Sequence, residues 1–262
     1  MDLQLTGTTA LVTGSTRGIG YAIALALAGE GADVVVTGRT PATVDAAVAH
    51  LRAQVSTTVT GVAADLADPG DVEQLCSQVG DVDVLVNNAG LFEVARFEDI
   101  TDADWQRFVE VNLLGGARLA RRLLPGMLAR GRGRIVFVGT ESAVDVPADM
   151  VHYGATKAAA LALANGLAKT TRGTRVTVNS VLGGPTWSDG VAEAVTAIAA
   201  AQSLPVERVK EAVIAGRPTS LLGRFIEPEE IAATVAFLAS PRASATNGSA
   251  VRVDGGVLPT VL

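Results

Sequence analysis

The stretch from Thr9 to Ala28 restricts the possible folds of this chain more than any other. It opens on an apolar, partly β-branched run, Thr9-Ala10-Leu11-Val12, of the kind that forms a short buried strand. Thr13-Gly14-Ser15-Thr16-Arg17-Gly18-Ile19-Gly20 follows, and an alanine- and leucine-rich helix is predicted from about Tyr21 to Ala28. Strand, glycine-rich turn and helix in that order aim free backbone N–H groups and a helix dipole at a phosphate. Glycine lets a ligand approach closely and lets the helix pack on the strand. The spacing is G-x-x-x-G-x-G rather than the commoner G-x-G-x-x-G, and no Gly-Lys-Ser/Thr follows to make a P-loop. A tight βα turn that holds no ligand is the competing reading.

The remainder repeats the alternation. Strands are predicted at Asp33–Thr37, Val59–Ala63, Val82–Val86, Arg134–Val138, Arg175–Asn179 and Ala250–Val253, with helical segments between them. Thr101 and Asp102 cap a long helix carrying Trp105, Phe108 and Val111, and Pro228 with Glu229 starts another. This order, with no linker and no internal repeat, predicts an α/β chain. The expected form is a single Rossmann-like, doubly wound parallel sheet of about seven strands with helices on both faces, spanning residues 1–262. The 262 residues are 48% hydrophobic, enough for a large core, and no apolar run reaches the length of a membrane span. The start of the chain shows no signal-peptide pattern, and Cys76 is the single cysteine, which fits a cytoplasmic protein. With two histidines and one cysteine no metal site is expected. A net charge of −6 argues against nucleic-acid binding.

Several polar residues fall at predicted strand ends, where open α/β sheets bind ligands. After the second strand come Gly38 and Arg39 in place of the acid that would bond a ribose 2′-OH. Together with Arg17 they favour NADP(H) over NAD(H). Alone, Arg39 reads equally as an exposed loop arginine. Asp65-Leu66 and Asn87-Asn88-Ala89-Gly90 end the third and fourth strands, and these types are also ordinary turn formers. Asn112 sits mid-helix, a poor choice unless its amide holds a water or a backbone group. Gly139-Thr140-Glu141-Ser142 supplies hydroxyls after the fifth strand. Tyr153 and Lys157, four residues apart, share one helix face, where the ammonium should lower the phenol pKa. Such pairs also occur on solvated helix faces.

Thr13-Gly14-x-x-x-Gly18-Ile19-Gly20, Asp65, Asn87–Gly90, Asn112, Tyr153-x-x-x-Lys157 and the closing Val253-Asp254-Gly255-Gly256 occur in one order over essentially the whole chain. In this the sequence resembles the short-chain dehydrogenase/reductase family. The resemblance implies an oxidoreductase that interconverts a ketone and a secondary alcohol by hydride transfer. Tyr153 would be the general acid/base, Lys157 would tune it and bond the nicotinamide ribose, and Asn112 would hold a relay water. Gly14, Ser15, Thr16, Arg17, Gly18, Ile19 and Gly20 would form the diphosphate turn. Asp65 and Leu66 would meet the adenine, Asn88, Ala89 and Gly90 the adenosine side, and Thr186 and Ser188 the carboxamide.

Two departures stand out. Thr140 occupies the position of the family's catalytic serine, with Ser142 as the other candidate. Gly183-Gly184 replaces Pro-Gly, which predicts a more flexible loop. Residues from about 186 to 218 correspond to a mobile substrate lid, in which Trp187 either closes over substrate or packs underneath. His152 reads as a spectator or a pocket residue. Arg130, Arg132 and Arg134 form a basic cluster of the sort used for acyl carrier proteins, or a solvated loop. The partners implied are a small carbonyl or alcohol substrate and further copies of the chain, as a tetramer or dimer. A 3-oxoacyl-[acyl-carrier-protein] reductase and a non-catalytic dinucleotide sensor or scaffold are the alternative readings.

Overall fold

The computed structural model describes residues 1–261. Its sheet has seven parallel strands among the described residues: β1 (Thr9–Val12), β2 (Asp33–Gly38), β3 (Val59–Ala63), β4 (Val84–Asn87), β5 (Arg132–Thr140), β6 (Arg175–Gly183) and β7 (Ala250–Val253). They lie in the order β3-β2-β1-β4-β5-β6-β7. Helices α1 (Gly18–Gly29), α2 (Pro41–Arg52), α3 (Pro69–Val79), α4 (Asp102–Val109), α5 (Gly115–Arg130) and α6 (Val151–Thr170) join the first six strands. Then come α7 (Asp189–Gln202), α8 (Val206–Ala215) and α9 (Pro228–Ala239).

The strands read as continuous apolar runs because both faces of the sheet are covered. Side chains alternate across a strand: Ala10, Val12, Val34 and Val36 join one core with α1, α2 and α9, while Leu11 and Val35 join the other with α3, α5 and α6. The chain order reverses between β1 and β4, which opens a crevice at their carboxyl ends. Helix starts follow capping chemistry: Asp68 accepts from the N–H groups of Gly70 and Asp71, and Thr101 with Asp104 makes a reciprocal capping box on α4. No helix among the described residues is long and apolar enough to cross a membrane.

The structure corrects several expected boundaries. β5 and β6 run beyond the predicted ends because they pair with each other from Arg132↔Arg175 to Thr140↔Gly183. β4 starts at Val84 rather than Val82, although the Asp83 backbone still bonds Thr9 and Arg134. The long helix predicted after Thr101 is broken by a π-helical turn, Glu110–Leu114. The helical excursion predicted from Asp189 to about Arg217 is two helices, parted at Ser203 (φ 52°) and Pro205. Gly183-Gly184 is no loose loop: Gly183 lies in the sheet, and a Cβ on Gly184 would stand 2.6 Å from the Asp254 carbonyl oxygen.

The first turn explains its own glycines. Gly14 and Gly18 have φ of 60° and 56°, the left-handed region that favours glycine. At Gly20 a Cβ would meet the Gly14 carbonyl oxygen at 2.2 Å and Asn88 Nδ2 at 2.5 Å. Gly20→Ala therefore forces α1 away from the sheet. Urea unfolding should show a loss of about 1–3 kcal/mol, the usual cost of overpacking.

Candidate active site

A cleft of about 550 Å³ crosses the carboxyl ends of β1 to β4. At one end it is lined by Arg39, Asp65 and Leu66, in the middle by the turn from Gly14 to Gly20, and at the other by Gly90 and Ser188. Thr13 organises its floor. The Thr13 hydroxyl accepts from the backbone N–H groups of Asn88 (2.9 Å) and Ala89 (3.0 Å). The Asn88 amide in return donates to the carbonyls of Thr13 and Gly14. A long groove that begins at a helix N-terminus and is walled by strand ends fits an extended dinucleotide.

The individual residues are less uniform than the sequence suggests. Ser15 is buried, and its hydroxyl bonds the Val12 carbonyl and the Thr37 N–H, so it ties β1 to β2 rather than facing the cleft. The space left by Gly38 goes to Thr16, whose Cγ2 would stand 2.5 Å from an added Cβ. Arg39 is exposed at the rim. Arg17 is paired with Glu193 of α7 at 2.5 Å, and the Gly18 N–H donates to Asp189 Oδ2 at 2.6 Å. Two acids from the segment expected as a lid thus sit on the turn expected to hold phosphate. Arg17 is therefore not the free second cation that the sequence suggested. Asp65 accepts from the Ala67 N–H, and Thr186 is buried with its hydroxyl on the Gly184 carbonyl.

Beyond Gly90 a second cluster is packed between β5, α6 and the π turn. Asn112 Oδ1 accepts from the Leu91 N–H at 2.7 Å, while its Nδ2 donates to the Leu91 carbonyl at 3.0 Å and to Thr156 Oγ1 at 3.1 Å. Its amide therefore holds a backbone group, one of the two tasks expected of it. Lys157 Nζ donates to the Val138 carbonyl at 3.0 Å. A Cβ on Gly90 would lie 3.0 Å from that Nζ and 3.3 Å from Asn112 Oδ1, so Gly90 is where the two side chains and the cleft meet. A side chain there would fit only if Lys157 or Asn112 gave way by a few tenths of an ångström.

The electrostatics reverse one expectation. Burial pushes the Tyr153 phenol up to about 12, the nearby Thr140 hydroxyl pulls against this, and the Glu141 carboxylate adds to it. Burial likewise brings the Lys157 ammonium down to about 8. The lowering of Tyr153 by Lys157 expected from their spacing does not occur, because the ammonium is turned onto Val138 and desolvation dominates both groups. Thr140 and Ser142 are both buried, and both donate to Glu141, at 2.5 Å and 3.3 Å. Sequence reading passed over Glu141 as a site residue. Its signal was an acid between two hydroxyl residues at the end of an apolar strand. Thr156, the partner of Asn112, carried no such signal.

Comparison with known proteins decides the family. The family model described as short chain dehydrogenase matches residues 8–198. The chain is a short-chain dehydrogenase/reductase. It is 44% identical to an oxidoreductase of Bacillus subtilis, YvrD, itself described as uncharacterized, over 98% of this chain and 99% of that one. It is 35% identical to D-beta-hydroxybutyrate dehydrogenase of Cupriavidus necator, over 97% and 98%. L-sorbose reductase from Gluconobacter frateurii, solved with NADPH and L-sorbose, superposes with a TM-score of 0.94 at 33% identity, covering 100% of both chains.

Within this short-chain dehydrogenase/reductase the structure bears on three further sequence readings. Arg134 is buried, donating to the carbonyls of Ser240, Gly133 and Arg175, while Arg130 and Arg132 pair with Asp81 and Asp83. These arginines do not form an open basic patch. Trp187 packs beneath the lid segment, against Phe225 at 5.3 Å between ring centroids and under the Lys210 ammonium. His152 is buried with its ring 4.0 Å from that of Phe108, which makes it a core residue.

The two perturbed groups act oppositely on stability. Between about pH 8 and 10.5 the unfolded chain keeps a Lys157 proton that the folded chain has released, so stability rises with pH. Above pH 10 the unfolded phenol ionises before Tyr153 does in the folded state, and stability falls. Urea unfolding at about pH 9.5 should give a stability roughly 1–2 kcal/mol above that at about pH 7.5, and Lys157→Met should remove the rise.

Proposed function

We propose that this oxidoreductase interconverts a ketone and a secondary alcohol with NADP(H), using Tyr153 as the general acid/base. The observation that carries the reading is that the cleft starting at the glycine turn ends, at Gly90, on Asn112 of the π turn and on Lys157, which lies one helical turn from Tyr153 on α6. A bound nicotinamide supplies or takes the hydride. The chain's own residues handle the proton and the geometry.

A phenol held neutral by burial keeps its proton until a carbonyl oxygen gains negative charge, which suits ketone reduction. Lys157, fixed on Val138, places a positive charge beside the ribose end of the cleft and offers its remaining protons there. Asn112 keeps Leu91 and the α6 backbone in register with it. On the cofactor side, Gly38 and Arg39 put a cation and no carboxylate at the end of β2, which favours a 2′-phosphate. Arg17 joins Arg39 only when it leaves Glu193. Ser188, at the mouth, is the candidate contact for the carboxamide, with Thr186 just beneath it. The L-sorbose reductase solved with NADPH supports the same cofactor. A carrier-protein substrate is not favoured, because the basic cluster that suggested it is buried or paired.

Fluorescence titration should show tighter binding of NADPH than NADH, and Arg39→Ala should weaken NADPH about tenfold while leaving NADH unchanged. Equal or tighter NADH binding would remove the NADP(H) assignment. Tyr153→Phe should bind NADPH normally yet lose about 10²–10⁴-fold in turnover on any ketone the parent reduces. Retained turnover would remove Tyr153 from the mechanism.

A further inference from the structure

The start of α7 makes three contacts across the cleft that the reaction described so far leaves without a task. Asp189 Oδ2 accepts from the backbone N–H of Gly18, the first residue of α1, at 2.6 Å. Glu193, one turn further along, pairs with Arg17 at 2.5 Å. A Cβ on Gly190 would stand 3.5 Å from Phe92 Cε1, so the same helix also reaches the loop after β4. Arg17, Gly18, Phe92 and Gly190 all line the cleft. Asp189 spends its carboxylate on α1, while Ser188, the N-cap of α7, makes no side-chain capping bond. Beyond this strap, α7 and α8 pack on each other through Val195, Ala199 and Val209, in a small core apart from the two that cover the sheet.

We propose that Asp189 and Glu193 are internal phosphate mimics, which close the glycine turn to the cofactor until α7 swings aside. The proposal rests on this turn being the dinucleotide site. A carboxylate on the first N–H of a helix satisfies the donor and the dipole that a diphosphate would use. Glu193 satisfies the guanidinium that, with Arg39, would meet a 2′-phosphate. The cofactor then binds only the fraction of molecules in which α7 has let go, and its apparent affinity falls by that fraction. Asp189 weakens any dinucleotide, whereas Glu193 weakens NADPH more than NADH.

Binding is read by fluorescence titration of the full-length protein with NADPH and with NADH, without substrate. Asp189→Ala should tighten both about tenfold, the scale of one charge-assisted hydrogen bond. Glu193→Gln should tighten NADPH about threefold, the scale of an exposed ion pair, and NADH less. Glu211→Gln removes an equal charge from an ion pair of α8 that does not line the cleft, and should change neither. NADPH binding that is unchanged or weaker in Asp189→Ala or in Glu193→Gln, or that Glu211→Gln tightens as much, overturns the proposal. The double variant Asp189→Ala/Glu193→Gln separates this from failure of the cofactor reading. If the parent binds NADPH and the double variant binds it no better, the mimicry alone falls. If neither protein binds either dinucleotide, the cofactor site falls with it. Binding by the double variant only would support the proposal.

Discussion

Asn112 clasps the backbone of one residue, Leu91, from both sides, and its remaining N–H reaches Thr156. That clasp joins the segment after β4 to the helix that carries Tyr153 and Lys157. It also accounts for the irregular helix. A π turn lets the chain between α4 and α5 absorb an extra residue, so that Asn112 faces Leu91 while Phe108 and Leu119 stay in the core. Gly90 then crosses the junction in close contact with Lys157 and Asn112. The geometry at the end of the cleft is a consequence of this one amide being satisfied in full.

Burial, more than pairing, sets the electrostatics of that cluster. The phenol and the ammonium are each driven toward the neutral form, one upward and one downward, by the same loss of water. A tyrosine in such a place is a proton reserve. Under the proposed function it would give up that proton when the substrate oxygen becomes basic. The two buried hydroxyls of Thr140 and Ser142 are not independent, because a single carboxylate organises both.

The fold was legible because burial on both faces of a parallel sheet leaves an apolar signature at every strand, punctuated by the turn chemistry of Gly14–Gly20, Asp65 and Asn87–Gly90. Asn112 was legible as an anomaly, a polar amide where a helix wants none. The resemblance to short-chain dehydrogenases assembled these fragments into a family. What escaped was relational. The i, i+4 spacing of Tyr153 and Lys157 gave proximity but not depth, and depth reverses the shift. Arg134 looked like a surface charge because two of its three carbonyl partners, Ser240 and Arg175, come from distant parts of the chain. The partnership of Arg17 with Glu193 spans the chain and leaves no local pattern.

That last contact has a thermodynamic corollary. Asp189 holds the amide of Gly18 and Glu193 holds Arg17, the same atoms that a dinucleotide's phosphates would seek. A carboxylate and a phosphate cannot share one N–H, so phosphate binding at this turn, as proposed above, would be linked to the position of α7. Linkage is reciprocal: whatever free energy the acids of α7 take from phosphate binding, phosphate binding returns in displacing α7. Both contacts are exposed ion-type interactions, and salt screens them along with the attraction they oppose. Under the proposed function, the acids of α7 would act as tethered competitors of the cofactor's phosphates.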